Sequence, residues 1–156
     1  MLLRAIKDPS VLFLLAGNIY CIWYFSVHPD GFPTVIWIYW SQSVIIGLFN
    51  FLDLYTLKNF NPGDMKLNDR PVEKKDGGCI AWFFLLHYGT FHFVYSIFLL
   101  VNIGISKVNK EVYLLGIAAF IAEAVIAYIQ RKKQEREQEI NIGSAFFLPY
   151  LRVIPM

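Results

Sequence analysis

Three polar side chains lie near the middle of long apolar stretches of this sequence: Gln42, His92 and Glu123. An imidazole can exchange a proton near neutral pH, and together with a carboxylate it can bind a metal ion. A carboxylate at mid-membrane costs about 2.5–3.5 kcal/mol on insertion scales, so Glu123 is a functional candidate by default. With a rise of about 1.5 Å per residue, the three fall at similar depths in a membrane core of about 30 Å. This spacing predicts one intramembrane polar site, with His92 and Glu123 as candidate metal ligands.

Two tyrosines extend the candidate site along the third apolar stretch. Tyr88, His92 and Tyr95 are spaced i, i+4 and i+7, which places them on one face of a helix. His87 points about 140° away from His92, since each residue turns a helix by roughly 100°. The two histidines therefore do not share a face, and the depth of His87, about 12–13 Å above the inner boundary, predicts that it belongs to a second polar layer. That layer comprises Asn18, His87 and Asn50.

The same residues also fit a structural role. Interhelical hydrogen bonds in membranes average about 0.6 kcal/mol, and a protonated or hydrogen-bonded Glu123 could simply join His92 and Gln42 in holding helices together. For each histidine alone the structural role is favoured, whereas for Glu123 both roles stay open.

Two classes of function are therefore carried forward. The first is a structural or interaction bundle. The alternative is a membrane-embedded enzyme or carrier that acts on a proton, a metal ion or a lipid. No nucleophile elbow, P-loop, dinucleotide fingerprint or HExxH motif indicates a particular reaction. Catalytic residues, cofactor and substrate are accordingly unknown from the sequence.

The elements that must position these residues are four continuous apolar runs. Hydrophobic residues make up 56% of the chain, against about 45–50% in soluble domains. The runs cover residues 10–27, 34–57, 79–105 and 112–130, and a membrane-spanning helix needs about 17–25 residues. They are continuous rather than alternating, which is typical of helices. The sequence predicts an all-α membrane protein with a four-transmembrane helical bundle over residues 1–143.

The basic residues predict the orientation of the bundle. Of the 14 Lys and Arg residues, only Lys107 and Lys110 fall on the outside if the N-terminus is inside. Such an asymmetry follows the positive-inside rule, so both termini and residues 58–78 are predicted to be cytoplasmic in a multi-pass protein of the cell membrane. The net charge of +2 gives no indication of a nucleic-acid partner.

Two segments outside the runs complete the prediction. Residues 58–78 mix charges with Pro and Gly and are expected to form a solvated or partly disordered linker. Residues 144–156 form an apolar tail that is too short to cross, and it is expected to lie in the interface or to begin an incomplete fifth span. The uncovered apolar surface predicts the lipid bilayer and a second copy, or a partner membrane helix, as binding partners.

Three sequence segments resemble a bacterial family of multi-pass membrane proteins known only as a domain of unknown function. They are "IYWSQSVIIGLFN" (38–50), "FFLLHYGTFHFVYSIFLL" (83–100) and "PYLRVIPM" (149–156), which contain motifs of the types YW-x-Q/E, HYG-x-F and PY-x-R-V-I-P-M. The resemblance covers the chain from the second run onward. It implies that relatives carry Glu in place of Gln42 and a second His in place of Tyr95. These residues would suit a carboxylate–histidine metal site in the relatives. This chain departs from both, which puts such a site in doubt here, and the resemblance also implies that the chain is a shortened form of a longer protein.

Overall fold

The computed structural model describes residues 9–61, 66–67, 69–143 and 145–147. They form two compact units. Of these residues, the first unit comprises 9–45 and 91–127, and the second comprises those described within 46–90 and 128–147.

Long helices dominate the described residues. They are α1 (Pro9–Val27), α2 (Phe32–Thr56), α3 (Gly77–Asn102) and α4 (Lys110–Glu137), with a 3-10 helix at Pro29–Gly31 before α2. Helices account for 82% of the structure, so the predicted all-α class is confirmed. Among the described residues, three helical stretches are long and apolar enough to cross a membrane, and a shorter apolar helix covers Leu14–Val27. Because α4 continues beyond residue 130, the basic stretch that follows is helical as well.

Local sequence explains where α4 begins and α3 ends. Asn109 precedes α4, and its Oδ1 accepts hydrogen bonds from the backbone N–H groups of Glu111 and Val112, as an N-cap residue does. After α3, Gly104 adopts a φ of +70°, a conformation that glycine takes without steric cost. Its N–H bonds the carbonyl of Leu99, which satisfies one of the orphan acceptors at the helix end.

The core of the first unit is built on close helix approach. Cys21, Ile38 and Phe120 form a buried cluster. A methyl group added at Gly17 would lie 2.9 Å from the ring of Phe120, and one added at Gly116 would lie 3.0 Å from Ile38. These two glycines therefore let neighbouring helices pack against a bare backbone, as small residues do in membrane bundles.

The second unit has a larger core and two short strand pairs. Its buried residues come from α2, α3 and the connecting segments, and include Leu54, Phe60, Phe84, Ile142 and Phe146. Strand β1 (Phe60–Asn61) pairs in parallel with β4 (Ile140–Asn141), and β2 (Lys66–Leu67) pairs antiparallel with β3 (Arg70–Pro71).

The segment predicted as a linker is ordered against this core. Within its described residues, Phe60 and Val72 are each 3% exposed, and Lys74–Asp76 form a 3-10 helix with a capping box from Glu73. The expectation of a solvated or partly disordered linker was therefore wrong for this part. Its apolar residues are isolated in sequence and show no helix or strand period, so only packing against distant residues reveals them.

The apolar tail is described only in part. Phe146 packs in the core of the second unit against Phe84 and Phe83. Residues 148–156, on which the expected interfacial or fifth-span segment mainly rests, lie outside the described residues.

The carboxylate of Asp76 provides a test of this region by pH. It accepts hydrogen bonds from both terminal nitrogens of Arg70 at 2.9 Å and from the backbone N–H of Glu73. These bonds hold the pKa of Asp76 below its usual range, with Arg70 the main cause. A lowered folded-state pKa adds stability above the unfolded pKa of about 4, and this contribution is lost as the pH falls through the folded value.

We therefore expect Asp76→Asn to lower the stability of the 66–76 region at pH 7 and to flatten its loss below about pH 4. Hydrogen exchange of this region in detergent would measure both effects. Asp30→Asn is the matched control, since Asp30 is exposed. An identical acid profile for wild type and Asp76→Asn would contradict the assignment.

Candidate functional site

The first unit buries two of the three residues at the centre of the predicted site. Gln42 on α2 is 7% exposed and Glu123 on α4 is 2% exposed. His92 on α3 is half-buried. Helices α2, α3 and α4 therefore each contribute one of these polar side chains to the first unit.

Contacts near these residues fix the alignment of α2 and α4. Thr34 Oγ1 accepts a hydrogen bond from the backbone N–H of Asn109, and further along Gly116 lies against Ile38. The contacts follow the same order on both helices, so α2 and α4 run parallel. Gln42 lies about 6 Å beyond Ile38 and Glu123 about 10 Å beyond Gly116 along the axes, which puts them within one turn of the same level.

Helix α3 is tied to α2 at the same level. The indole N–H of Trp40 donates to the backbone carbonyl of His92 at 3.2 Å, and that of Trp37 donates to the carbonyl of Gly104 at 2.9 Å. His92 therefore lies close to the level of Gln42, two residues after Trp40. A direct bond among Gln42, His92 and Glu123 stays a prediction.

Asn18, predicted to belong to a second polar layer with His87 and Asn50, is hydrogen-bonded to Tyr39 of α2 in the first unit. Its Oδ1 accepts a hydrogen bond from the Tyr39 hydroxyl at 3.0 Å, and its Nδ2 donates to the Leu14 carbonyl at 2.8 Å. Tyr39 lies one turn before Gln42 on α2. Depth counted from backbone rise alone missed this contact because a tyrosine side chain reaches beyond its own helix turn.

Two other predicted residues lie on the surface. His87 is exposed and stacks on Phe83, with 5.6 Å between the ring centres. Tyr95 is 42% exposed and stacks on Phe98. Tyr95 was predicted to line the candidate site and His87 to belong to a second polar layer, but both side chains are exposed. Helical spacing gives the direction of a side chain but not whether a neighbouring element covers it at that height.

Tyr88 and Asn50 are buried in the second unit. The ring of Tyr88 packs against the backbone at Gly47 and stacks on Phe84. Asn50 is 1% exposed, and neither of its side-chain polar atoms has a hydrogen-bond partner among the described residues. A buried unsatisfied polar group costs about 1–3 kcal/mol, which marks Asn50 as a position where a bound water would be stabilising.

The described residues do not assemble a metal-binding group. Within them, no cluster of three or more His, Cys, Asp or Glu side chains is close enough to hold a metal ion. Protein zinc sites use at least three such ligands. The metal role predicted for His92 and Glu123 therefore lacks a third side-chain ligand of these types in the described part of the chain.

One buried carboxylate of the second unit was not predicted to have a role. Glu135 is 8% exposed, and its Oε1 accepts hydrogen bonds from the backbone N–H groups of Lys58, at 2.7 Å, and Asn59, at 3.3 Å. Its Oε2 accepts from Lys132 Nζ at 2.7 Å, and its carbonyl accepts from Asn59 Nδ2. We call these contacts the Glu135 clasp. The i, i+3 spacing of Lys132 and Glu135 was the available signal, but "RKKQEREQE" otherwise resembles an exposed helix.

A cavity of about 340 Å³ adjoins the clasp. Asp53 and Arg131 lie on its wall as an ion pair, with Asp53 Oδ2 2.9 Å from Arg131 Nε. Lys132 and Glu135 form the second pair on the wall. Glu139 also lies on the wall, so three carboxylates accompany two cations and the cavity carries a net negative charge.

The sequence as a whole matches one family. The model of a family described as "Family of unknown function (DUF6498)" matches residues 1–156. The chain belongs to this family. No curated protein and no solved structure matches this DUF6498 member. Its function is therefore inferred from its own residues.

Proposed function

We propose that this DUF6498 member is a multi-pass protein of a bacterial cell membrane that acts as a structural or interaction bundle. Helices α1–α4 would each cross the membrane, with both termini and residues 58–78 in the cytoplasm. Three helical stretches of sufficient length, a shorter apolar helix and the distribution of Lys and Arg support this proposal.

The observation that carries the proposal is the use of polar side chains to join helices. In the first unit Ser41 Oγ lies 2.7 Å from the Tyr113 hydroxyl, and Tyr39 bonds Asn18. The indoles of Trp37 and Trp40 bond backbone carbonyls of a different segment. Groups used in this way stabilise a bundle, and the same role for Gln42, His92 and Glu123 follows by extension.

The outer surface supports an interaction role. Large apolar side chains are exposed on every long helix, including Ile22, Leu52, Val101 and Ile129. Several small residues on these helices already contact a side chain of the same chain, since Gly17 faces Phe120, Gly47 faces Tyr88 and Gly116 faces Ile38. Lipid would cover most of this surface, and a second copy or a partner membrane helix would bind through large side chains.

Substitution of Glu123 tests this proposal. We expect Glu123→Gln to change the free energy of unfolding in mild detergent by less than about 1 kcal/mol, since an amide still forms interhelical hydrogen bonds. Glu123→Leu, which cannot, should cost more. Mass measurement in the same detergent should show an oligomer or a co-purified membrane helix for wild type and Glu123→Gln.

Two results would contradict the proposal. A stable monomer with no partner would remove the interaction role. Unfolding that shifts between pH 5 and 8, or on addition of a divalent cation, and no longer shifts in Glu123→Gln would favour the carrier or enzyme instead.

Cysteine labelling tests the orientation. In a Cys79→Ser background, where Cys21 is buried, Asp30→Cys should react with a membrane-impermeant maleimide in intact cells. Lys75→Cys should react only after the membrane is permeabilised, because its loop is predicted to be cytoplasmic. Equal labelling of both positions in intact cells would exclude the proposed topology.

A further inference from the structure

A second cleft of about 600 Å³ in the second unit shares Lys132 and Glu135 with the first cavity. It is formed by the end of α2, the residues that follow it, and the last turns of α4. Its lining comprises Thr56, Lys58, Asn59, Tyr128, Lys132, Glu135 and Arg136.

The charge of this cleft is positive. Its lining contains the basic side chains of Lys58, Lys132 and Arg136 and a single carboxylate, that of Glu135. This carboxylate already accepts hydrogen bonds from Lys132 and from two backbone N–H groups. Lys58 and Arg136 are exposed, and neither side chain forms an ion pair within the described residues. Basic groups that converge in this way bind phosphate through charge-assisted hydrogen bonds.

The residues of α4 are arranged in the order of a membrane interface. Tyr128, Lys132 and Arg136 follow one another at steps of four on one helix face. The Lys132 ammonium lies over the Tyr128 ring, 5.8 Å from its centre. An aromatic ring followed by two cations is typical of the zone where lipid headgroups meet water.

An apolar stripe leads away from the cleft along α2. Leu52 and Leu48 precede Thr56 at steps of four, on the same helix face, and both are exposed. On α4, Ile129 beside Tyr128 is exposed as well. A ligand that carries a phosphate at one end and a hydrocarbon chain at the other matches both parts of this surface, whereas a free phosphate uses only the charged part.

We propose that this cleft binds an anionic phospholipid, with its phosphate held by Lys58 and Arg136 and an acyl chain along Leu52 and Leu48. The proposal rests on the membrane location given above. Its failure is distinguishable, because loss of lipid selectivity leaves the labelling of Asp30→Cys and Lys75→Cys unchanged.

Native mass spectrometry of the full chain in mild detergent tests the site. Wild type should bind phosphatidylglycerol at least tenfold more tightly than phosphatidylcholine with the same acyl chains. The double variant Lys58→Gln/Arg136→Gln should bind phosphatidylglycerol about thirtyfold more weakly, since each basic residue near a membrane surface contributes about a fivefold preference. Its affinity for phosphatidylcholine should not change.

The matched control is Lys133→Gln/Lys75→Gln, which removes two exposed positive charges outside the cleft. Its affinity for phosphatidylglycerol should stay within about twofold of wild type. Equal affinity of wild type for the two lipids, or equal loss in the control, would overturn the proposal. Displacement of phosphatidylglycerol by inorganic phosphate at equal concentration would show that the site recognises free phosphate instead of a lipid.

The test does not depend on the clasp. The clasp uses the backbone of Lys58 and the side chain of Lys132, so the variants leave its hydrogen bonds in place. If the double variant nevertheless unfolds, Lys58→Gln and Arg136→Gln alone should each weaken phosphatidylglycerol binding about fivefold. Unchanged binding in both folded single variants would also overturn the proposal.

Discussion

Replacing Gly47 with alanine is expected to destabilise the protein by about 1–3 kcal/mol, the usual cost of overpacking a core. The new methyl group would overlap the ring of Tyr88. This ring cannot easily move aside, because Tyr88 is buried and stacks on Phe84, which is completely buried, with 5.1 Å between the ring centres. Unfolding by denaturant or heat in mild detergent would measure the loss.

Gly89 on α3 provides the matched control. An added methyl group there meets no atom within 4 Å. Alanine favours a helix over glycine by up to about 1 kcal/mol, so Gly89→Ala should be neutral or stabilising. If Gly47→Ala proved as stable as Gly89→Ala, the close approach of α2 to the Tyr88 ring would be refuted.

Removal of the Glu135 carboxylate is expected to have a similarly large effect. Glu135→Ala should cost about 3 kcal/mol, since hydrogen bonds to charged groups contribute about 1.5–3 kcal/mol and the substitution leaves two backbone N–H groups without their acceptor. Hydrogen exchange at residues 58–61 and 140–141 should accelerate together, because β1 and β4 depend on the clasp between them.

Glu137→Ala is the control for this result. Glu137 is exposed and lies two residues further along the same helix, and surface substitutions of this kind usually change stability by less than about 0.5 kcal/mol. Equal effects of the two substitutions would mean that the acidic character of this stretch, rather than the clasp, stabilises the fold.

The helices were predictable because long continuous apolar runs allow few other structures. Each predicted run lies largely within one long helix, and α4 continues into the basic stretch because Lys, Arg, Glu and Gln favour helix. The Glu135 clasp was not predictable in the same way. Its partners, Lys58 and Asn59, are 77 and 76 residues away, and no local period relates positions so far apart.

The candidate site was predictable in part, for the same physical reason. Gln42 and Glu123 are polar residues within apolar runs. Their burial in the protein was predictable because exposure of a polar side chain to an apolar environment is costly. The exposure of Tyr95 was not predictable in this way, because Tyr88 and Tyr95 lie on the same face of α3 and only Tyr88 is buried. The exposure of His87 was not predictable either. Which neighbour covers a face depends on packing between distant segments.

The distance between the two halves of the Glu135 clasp has a consequence for biosynthesis. Lys58 is synthesised 77 residues before Glu135. Because chains elongate at about 5–20 residues per second, the segment after α2 is without Glu135 for about 4–15 s. During that time Phe60 and Val72 lack the late C-terminal partners Ile142 and Phe146 in their core cluster. A nascent chain that stops before α4 is complete therefore presents these side chains to chaperones and proteases.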